Sequence, residues 1–232
     1  MIQVSGLRFS YRPGTPVVDI ESFSVARGER LFLFGPSGSG KTTLLGLLTG
    51  VLSPDAGRVE VDGVDIAGLR PRARDAFRGE RIGYLFQLFN LIPYLSVAEN
   101  ITLPCRLSLR RREGLGGEAM GDAALRLARG LEIDALFHRP VTELSVGQQQ
   151  RVAAARALMG RPPLVIADEP TSALDTDLRE QFIRLLFGQA REAGSTVVFV
   201  SHDRSLATLF DRSVSLPTLN RVQGPRTTSG VG

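Results

Sequence analysis

Residues 35–43 of this 232-residue chain read Gly-Pro-Ser-Gly-Ser-Gly-Lys-Thr-Thr, and no other stretch constrains the fold as strongly. The segment fits the pattern G-x-x-x-x-G-K-[ST] of a phosphate-binding loop, which needs a strand before it and a helix after it. The apolar run 31–34 predicts a buried strand, and residues 41–48 predict a helix. The sequence therefore supplies a strand, a glycine-rich loop and a helix in the required order.

The residue types in this loop suit a bound polyphosphate. Gly35, Gly38 and Gly40 leave no side chain between the backbone amides and a ligand, so successive N–H groups can converge on phosphate oxygens. The following helix adds the positive end of its dipole. We expect Lys41 to reach the β- and γ-phosphates and the Thr42 hydroxyl to ligate Mg²⁺. The alternative, a Gly/Ser-rich turn before an ordinary helix, is disfavoured by the flanking strand and helix.

Length and composition set wider bounds. A chain of 232 residues with 43% hydrophobic content can bury one core domain, with or without a subdomain. It has no run of 18 apolar residues and no charged-then-apolar amino terminus, so we expect neither a membrane span nor a secretion signal. The single cysteine, Cys105, excludes an internal disulfide and a multi-cysteine metal site. A cytoplasmic location is the expectation.

The chain is basic, with a net charge of +4 and a pI near 9.9. Such a balance can indicate nucleic acid or an anionic membrane surface as a partner. The excess is mostly arginine spread along the chain, and one cluster comprises Arg106, Arg110, Arg111 and Arg112. We interpret that cluster as a solvated basic loop.

The order of apolar patterns predicts the fold. Short strands with turns between them predict an antiparallel edge region in the first third of the chain, at 2–4, 17–20 and 58–63. Residues 88–160 have helical spacing, which indicates an inserted helical subdomain. Apolar runs then alternate with a helix, at 164–168, 178–193 and 196–201. This pattern predicts an α/β fold with a phosphate-loop core, in which helices cover both faces of a mostly parallel sheet.

These patterns divide the chain into one domain and a tail. Residues 1–220 are expected to form a single nucleotide-binding domain that contains the helical insertion. Residues 221–232, rich in Gly, Pro, Ser and Thr from 224 onward, are expected to be disordered.

A second candidate site follows the apolar run 164–167. Asp168 and Glu169 end a predicted buried strand, and ligands of open parallel sheets bind at the carboxyl ends of strands. Asp168 suits Mg²⁺ coordination through water, while Glu169 suits orienting or deprotonating an attacking water. An isolated Asp-Glu pair after a strand is usually a helix cap. In a chain that also has a phosphate loop, a catalytic pair is the favoured interpretation.

Several motifs occur in the order found in ATP-binding cassette (ABC) ATPases, and the chain resembles that family over roughly residues 2–215. They are Tyr-Arg-Pro-Gly at 11–14, the loop at 35–43, Gln87, Leu-Ser-Val-Gly-Gln at 144–148, Asp168-Glu169, Ser-Ala-Leu-Asp at 172–175 and His202. The resemblance implies an enzyme that hydrolyses ATP with Mg²⁺.

Two longer segments, 82–93 and 167–175, resemble the subfamily that contains the lipoprotein-release ATPase LolD, the macrolide exporter MacB and the division protein FtsE. That kinship implies a peripheral subunit on the cytoplasmic face of the inner membrane. It also implies two kinds of partner, a second copy of the chain and a permease with a periplasmic domain. No nucleic-acid partner is expected.

The resemblance assigns roles by position. Tyr11 would stack on adenine, and the loop would hold the triphosphate through Gly35, Pro36, Ser37, Gly38, Ser39, Gly40, Lys41, Thr42 and Thr43. Thr42, Gln87 and, through water, Asp168 would hold Mg²⁺. Glu169, His202 and Gln87 would be catalytic, and His138 is interpreted as an ordinary loop or core histidine.

In this family the signature segment covers the nucleotide bound by a second copy. Here it comprises Ser145, Val146, Gly147 and Gln148, with Asp175 at the same junction between copies. Val146 departs from the family, which typically has glycine there. If the position required a positive φ, a β-branched residue would cost on the order of 1–3 kcal/mol. We expect two copies to close around two ATP molecules nonetheless, with only the equilibrium between the open and closed pair shifted.

Two other functions remain open at this stage. One is a soluble ABC ATPase acting on nucleic acid or ribosomes, which the basic pI favours. The other is a regulatory cassette that gates a periplasmic enzyme, as FtsE-like proteins do. Against the first, this chain has a single cassette and no cysteine-based zinc site. The sequence does not identify a cargo.

Overall fold

The computed structural model describes residues 1–172 and 175–223. The chain forms two sheets: a five-stranded parallel sheet in the order β6-β7-β8-β3-β9, and a four-stranded antiparallel sheet in the order β2-β1-β4-β5. The strands are β1 (Ile2–Arg12), β2 (Thr15–Val25), β3 (Arg30–Phe34), β4 (Ala56–Val61), β5 (Val64–Asp65), β6 (Ile82–Leu85), β7 (Leu164–Asp168), β8 (Thr196–Ser201) and β9 (Arg212–Ser215).

The helices lie between these strands or after the last of them, and four of them follow one another between β6 and β7. They are α1 (Lys41–Leu48), α2 (Pro71–Arg81), α3 (Val97–Leu107), α4 (Leu109–Glu113), α5 (Met120–Gly130), α6 (Val146–Leu158), α7 (Thr176–Ala193) and α8 (Leu216–Leu219). The predicted α/β class is confirmed, as are the strand and helix on either side of the glycine-rich loop. The predicted helix at 178–193 begins two residues earlier.

The parallel sheet separates two apolar cores because alternate residues of its strands face opposite sides. In β7, Leu164 and Ile166 pack with α1 and the antiparallel sheet. Val165 and Ala167 pack with α3, α5, α6 and α7 on the other side. Both faces are covered, which explains why these central strands are continuously apolar.

The antiparallel region is larger than the sequence predicts. β1 and β2 are each 11 residues long and form a hairpin around Pro13 and Gly14, whereas the pattern indicated only 2–4 and 17–20. Polar residues on the exposed face interrupt the apolar pattern, and the register shifts near Ser10. Alternating burial along β1 is nevertheless that of a sheet with one solvated face.

Between 97 and 158 the chain is helical, from α3 to α6, and these helices pack on one face of the parallel sheet. Within this region the interpretation of the arginine cluster is wrong at one position. Arg106, Arg110 and Arg112 are exposed, but Arg111 is only 2% exposed. Its guanidinium is satisfied by backbone carbonyls, so it belongs to the interior.

Two sequence predictions fall partly outside the described residues. Ala173 and Leu174 of the 172–175 motif lie outside them, as do residues 224–232 of the predicted tail. The first part of that tail, Arg221–Gln223, is a 3₁₀ turn. Just before it, the buried Asn220 accepts from the Asp19 amide at 2.8 Å and donates to the Val17 carbonyl at 2.8 Å. Asn220 thereby ties the end of the described chain to β2.

Candidate functional site

A cavity of about 730 Å³ lies at the carboxyl ends of β3, β7 and β8. Parallel strands end at the same edge of the sheet, so their following residues converge there. Most of the predicted site residues line this cavity: Pro36, Ser37, Gly38, Gly40, Lys41, Thr42, Thr43, Gln87, Asp168, Glu169 and His202. Val17 also lines it, and nothing in the sequence pattern of β2 singles that residue out.

The loop before α1 has a backbone that needs glycine. Gly38 and Gly40 have φ values of +77° and +92°, in the left-handed region that side chains disfavour. Gly35 has a different reason, because a Cβ there would lie 2.7 Å from the Ser39 hydroxyl oxygen. The loop therefore folds tightly over Ser39, which is 1% exposed.

Lys41 is buried at the start of α1 with its amine directed back into the loop. Nζ donates to the carbonyl oxygens of Gly35 at 2.8 Å and Pro36 at 3.0 Å. It also lies 3.5 Å from Oε1 of Glu169. The ammonium group is thus fixed between the loop and the carboxylate at the end of β7.

Asp168 is half-buried at the end of β7. The Tyr84 hydroxyl donates to its Oδ2 at 3.3 Å from the neighbouring strand β6. Burial raises the pKa of Asp168, and the adjacent Glu169 carboxylate acts in the same direction, while Tyr84 and Lys41 oppose both effects. Tyr84 was not predicted as a site residue; its only signal is its position three residues before Gln87.

Glu169 is held in an uncommon conformation. Its φ is +46°, which costs a non-glycine residue on the order of 1–3 kcal/mol. The Glu169 amide donates to the Val200 carbonyl on β8 at 2.9 Å, which fixes this turn of the backbone. The turn directs the side chain to His202, whose Nδ1 lies 2.6 Å from Oε2.

The contact with Glu169 determines which histidine nitrogen is protonated. A carboxylate can only accept hydrogen bonds, so Nδ1 of His202 carries the proton and donates. Nε2 is then the ring atom left to contact a ligand. The ring is 62% exposed and lines the cavity, so this atom is accessible.

Tyr11 lies beside the loop but does not line the cavity. Its hydroxyl is 3.2 Å from Oγ1 of Thr43, and its ring packs edge-on against Phe9. Tyr11 is 62% exposed, so much of it is open to solvent at the edge of the loop. Its predicted stacking on adenine stays a prediction.

The signature segment forms the start of α6 and lies away from the cavity lining. Ser145 caps the helix: its Oγ accepts from the Gln148 amide at 3.4 Å, and Gln148 Oε1 accepts from the Ser145 amide at 2.9 Å. This reciprocal capping box orders the first turn. The Ser145 hydroxyl proton and the Gly147 amide remain suited to donate to an anion at the helix amino terminus. The Asp175 backbone precedes α7 in an extended conformation.

Val146 is the first residue of α6 and is absent from the residues with positive φ. The condition for strain at this position is therefore not met. Its side chain is 49% exposed, so the difference from glycine is an apolar group on the surface beside Ser145.

The donor set fits a triphosphate with Mg²⁺. Oγ of Ser39 is buried without a hydrogen-bond partner in the loop. The hydroxyl of Thr42, the amide of Gln87 and the carboxylate of Asp168 line one cavity and supply hard oxygens. Among the described residues, no group of three or more His, Cys, Asp or Glu could hold a metal ion. A small number of protein ligands is usual for Mg²⁺, because the ion keeps several waters and also binds substrate phosphates.

Comparison with known proteins agrees with this geometry. Residues 18–172 match the family model described as ABC transporter. The chain belongs to the ABC transporter family. It is similar to the lipoprotein-releasing system ATP-binding protein LolD of Anaeromyxobacter dehalogenans, with 41% identity over 99% of this chain and 96% of that protein. It is also similar to MacB, the macrolide export ATP-binding/permease protein of Rhodopirellula baltica, with 40% identity over 93% of this chain and 32% of that longer protein.

Solved structures give the same result. The dimeric structure of MJ0796, a bacterial ABC transporter cassette, superposes with a TM-score of 0.80 and 34% identity over 93% of this chain and 94% of that one. A second structure of MJ0796, in a post-hydrolysis state bound to ADP and Pi, matches equally well. The chain is therefore an ATP-binding cassette ATPase similar to LolD and MacB.

Restoring the typical glycine should have a small effect. Val146→Gly relieves no backbone strain, and glycine near a helix end costs at most about 1 kcal/mol. We expect the ATPase rate to change by no more than about fivefold, since this corresponds to roughly 1 kcal/mol. Steady-state phosphate release measures this. A gain of several hundredfold would contradict the account and show that Val146 severely restricts the enzyme.

Proposed function

We propose that this chain is the ATP-hydrolysing subunit of a transporter, that it pairs with a second copy around two ATP molecules, and that it drives a separate permease. The arrangement of Lys41, Glu169 and His202 around one phosphate-binding loop is the observation that supports this most directly. Bound Mg²⁺ would neutralise charge on the phosphates. Side chains of this chain would position the attacking water and accept its proton.

Hydrolysis needs a group that takes a proton from water. Glu169 is placed for this role, because His202 holds one carboxylate oxygen and Lys41 lies near the other. The His202 contact orients the carboxylate, while Lys41 lies at the loop where the terminal phosphates would bind. Thr42, Gln87 and Asp168 would hold the metal.

The second copy supplies what one chain lacks. Ser145, Val146 and Gly147 begin α6 but do not line the cavity formed by their own loop. The MJ0796 relative has been solved as a dimer. We propose that the amino terminus of α6 covers the nucleotide of the partner copy. Loss of the γ-phosphate would then remove the contacts that favour the closed pair.

A groove of about 400 Å³ is the proposed docking site for the permease. It lies between the end of α2, strand β6 and the junction of α3 and α4, and Phe86 and Leu107 expose apolar surface along it. Phe86 is adjacent to Gln87 of the ATP cavity, so an occupant would touch the segment that enters the site. An apolar helix from a cytoplasmic loop of the permease fits such a groove.

The similarity to LolD and MacB supports a permease of the LolCE/MacB/FtsX mechanotransmission type, which transmits motion to a periplasmic domain. No helix in the described part of the chain is long and apolar enough to cross a membrane. We propose a peripheral subunit on the cytoplasmic face of the inner membrane. Extraction of a lipid or lipoprotein and gating of a periplasmic enzyme are two uses of this same motion.

Replacing the proposed base should separate binding from hydrolysis. Glu169→Gln keeps the shape of the side chain but cannot accept a proton, so we expect ATP turnover to fall by about a hundredfold or more, the range typical of general base catalysis. ATP affinity should change by less than about threefold, which is less than 1 kcal/mol, because the amide keeps the shape of the carboxylate. Phosphate release and equilibrium dialysis with ATP measure the two quantities. Turnover at the normal rate would rule out Glu169 as the base.

A charge in the groove should break the link to the permease. Leu107 is 79% exposed, so Leu107→Asp should fold normally. Docking of an apolar helix would bury the new carboxylate without a partner, which disfavours binding. We expect the permease encoded beside this chain to co-purify with the parent protein and to raise its ATP turnover. Leu107→Asp should lose both effects and keep the basal rate.

The matched control is Val51→Asp, at another exposed apolar residue outside the groove. It should retain co-purification and stimulation. Equal stimulation of Leu107→Asp and Val51→Asp would show that the permease docks elsewhere. Stimulation by RNA or DNA in preparations without a permease would instead favour a soluble ATPase acting on nucleic acid.

A further inference from the structure

Arg111 is a buried cation held by four backbone carbonyls. Its Nε donates to Gly79 at 3.0 Å, Nη2 to Ile82 at 2.7 Å, and Nη1 to Met159 at 2.9 Å and Ala157 at 3.4 Å. These acceptors belong to the end of α2, the start of β6 and the end of α6. One guanidinium on α4 therefore joins three other elements.

Helix ends balance the charge of Arg111. In the described part of the chain the acceptors of its guanidinium are all backbone carbonyls, and those of Gly79, Ala157 and Met159 lie at the carboxyl-terminal ends of α2 and α6, where the helix dipole is negative. Burial lowers the pKa of Arg111 to about 10, which leaves the group charged at neutral pH. Only the five donors of an arginine fork can meet this many carbonyls at once.

The backbones around Arg111 are in direct contact. A Cβ on Gly160 would lie 2.5 Å from the Arg111 carbonyl oxygen, and a Cβ on Gly114 would lie 2.3 Å from the Gly160 carbonyl oxygen. Side chains larger than hydrogen would force these segments apart. These contacts bring α4 against the end of α6, and the guanidinium bonds both to the end of α2 and the start of β6. We call this contact region the Arg111 junction: residues 79–83, 108–114 and 157–160.

The Arg111 junction forms part of the proposed permease groove. Gly79, Ile82, Ser108, Arg111 and Ala157 all line that groove. An occupant would therefore rest on the same backbone segments that the guanidinium ties together.

Two elements lead from the junction to the two ATP sites. β6 begins at Ile82 and ends at Leu85, two residues before Gln87, which lines the ATP cavity of the same chain. α6, with 13 residues and a length of about 20 Å, ends at the junction and begins at the signature. Arg156 adds a cross-link, because it donates to the carbonyl oxygens of Phe89 at 2.6 Å and Asn90 at 2.7 Å, just after Gln87.

We infer that Arg111 is a positioning residue that couples the groove to both nucleotide sites, so that a displacement at the groove moves Gln87 and the signature helix together. This inference rests on the proposed function and adds a residue to it. Loss of the guanidinium would uncouple α6 from β6 while leaving the phosphate loop intact. The consequence is loss of communication at unchanged ATP affinity.

A tryptophan at the groove can report this coupling without the permease. The chain contains no tryptophan, so the indole emission of a Leu107→Trp variant comes from the groove edge alone. The same variant would carry Glu169→Gln as well, so that ATP stays bound. We expect MgATP to shift or quench the indole emission in this parent variant.

Arg111→Lys is the test and Arg110→Lys the control on the same short helix. Lysine keeps the charge but offers three donors, too few for four carbonyls. We expect Arg111→Lys to reduce the amplitude of the ATP response at least about fivefold, the lower end of typical allosteric coupling. ATP affinity from equilibrium dialysis should be unchanged, and Arg110→Lys should behave like the parent. A merely structural role would lower thermal stability without this selective loss.

The outcomes are distinguishable. An unchanged response in Arg111→Lys, or no response in a parent that binds ATP, would overturn the inference alone. Absence of ATP binding in the parent would overturn the proposed function and this inference with it. If Arg111→Lys does not fold, hydrogen exchange of the unsubstituted chain decides. ATP should change protection at 79–83, 108–114 and 157–160 with one concentration dependence, and independent changes would contradict the coupling.

Discussion

The register of three parallel strands is the constraint on which the site depends. β3, β7 and β8 are paired so that Phe34 lies beside Ser201 and Asp168 beside Val200. The next residues of each strand are the glycine-rich loop, Glu169 and His202. Their side chains meet because the strands end together. A slip of one residue would turn these groups to the opposite face of the sheet.

Backbone carbonyls hold the two buried cations of this fold that matter most for the proposed cycle. Lys41 is bonded to the loop that precedes it, and Arg111 is bonded to the ends of two helices and the start of a strand. In both cases the main partners of the positive charge are backbone carbonyls and not a carboxylate, so the cation holds segments of backbone together. In the proposed cycle the first cation would bind the phosphates, while the second ties together the elements that lead to them.

The sequence predicted the phosphate loop, the two carboxylates at the end of β7 and His202 because each ends or follows an apolar strand pattern. It did not predict Tyr84 or Val17, since a tyrosine or valine within a strand looks like any core residue. The charge run at 106–112 concealed a buried arginine, because nothing in sequence tells which guanidinium faces four carbonyls. The sequence likewise did not predict the φ of Val146, because that angle follows from the way in which Ser145 caps α6.

In the proposed cycle, ATP holds two copies together and its hydrolysis releases them. Sedimentation of the Glu169→Gln chain tests this most directly, with MgATP, with MgADP and without nucleotide. The account predicts a dimer with MgATP and a monomer in the other two conditions. A dimer of equal strength in all three conditions would contradict it, because nucleotide would then contribute nothing to closure.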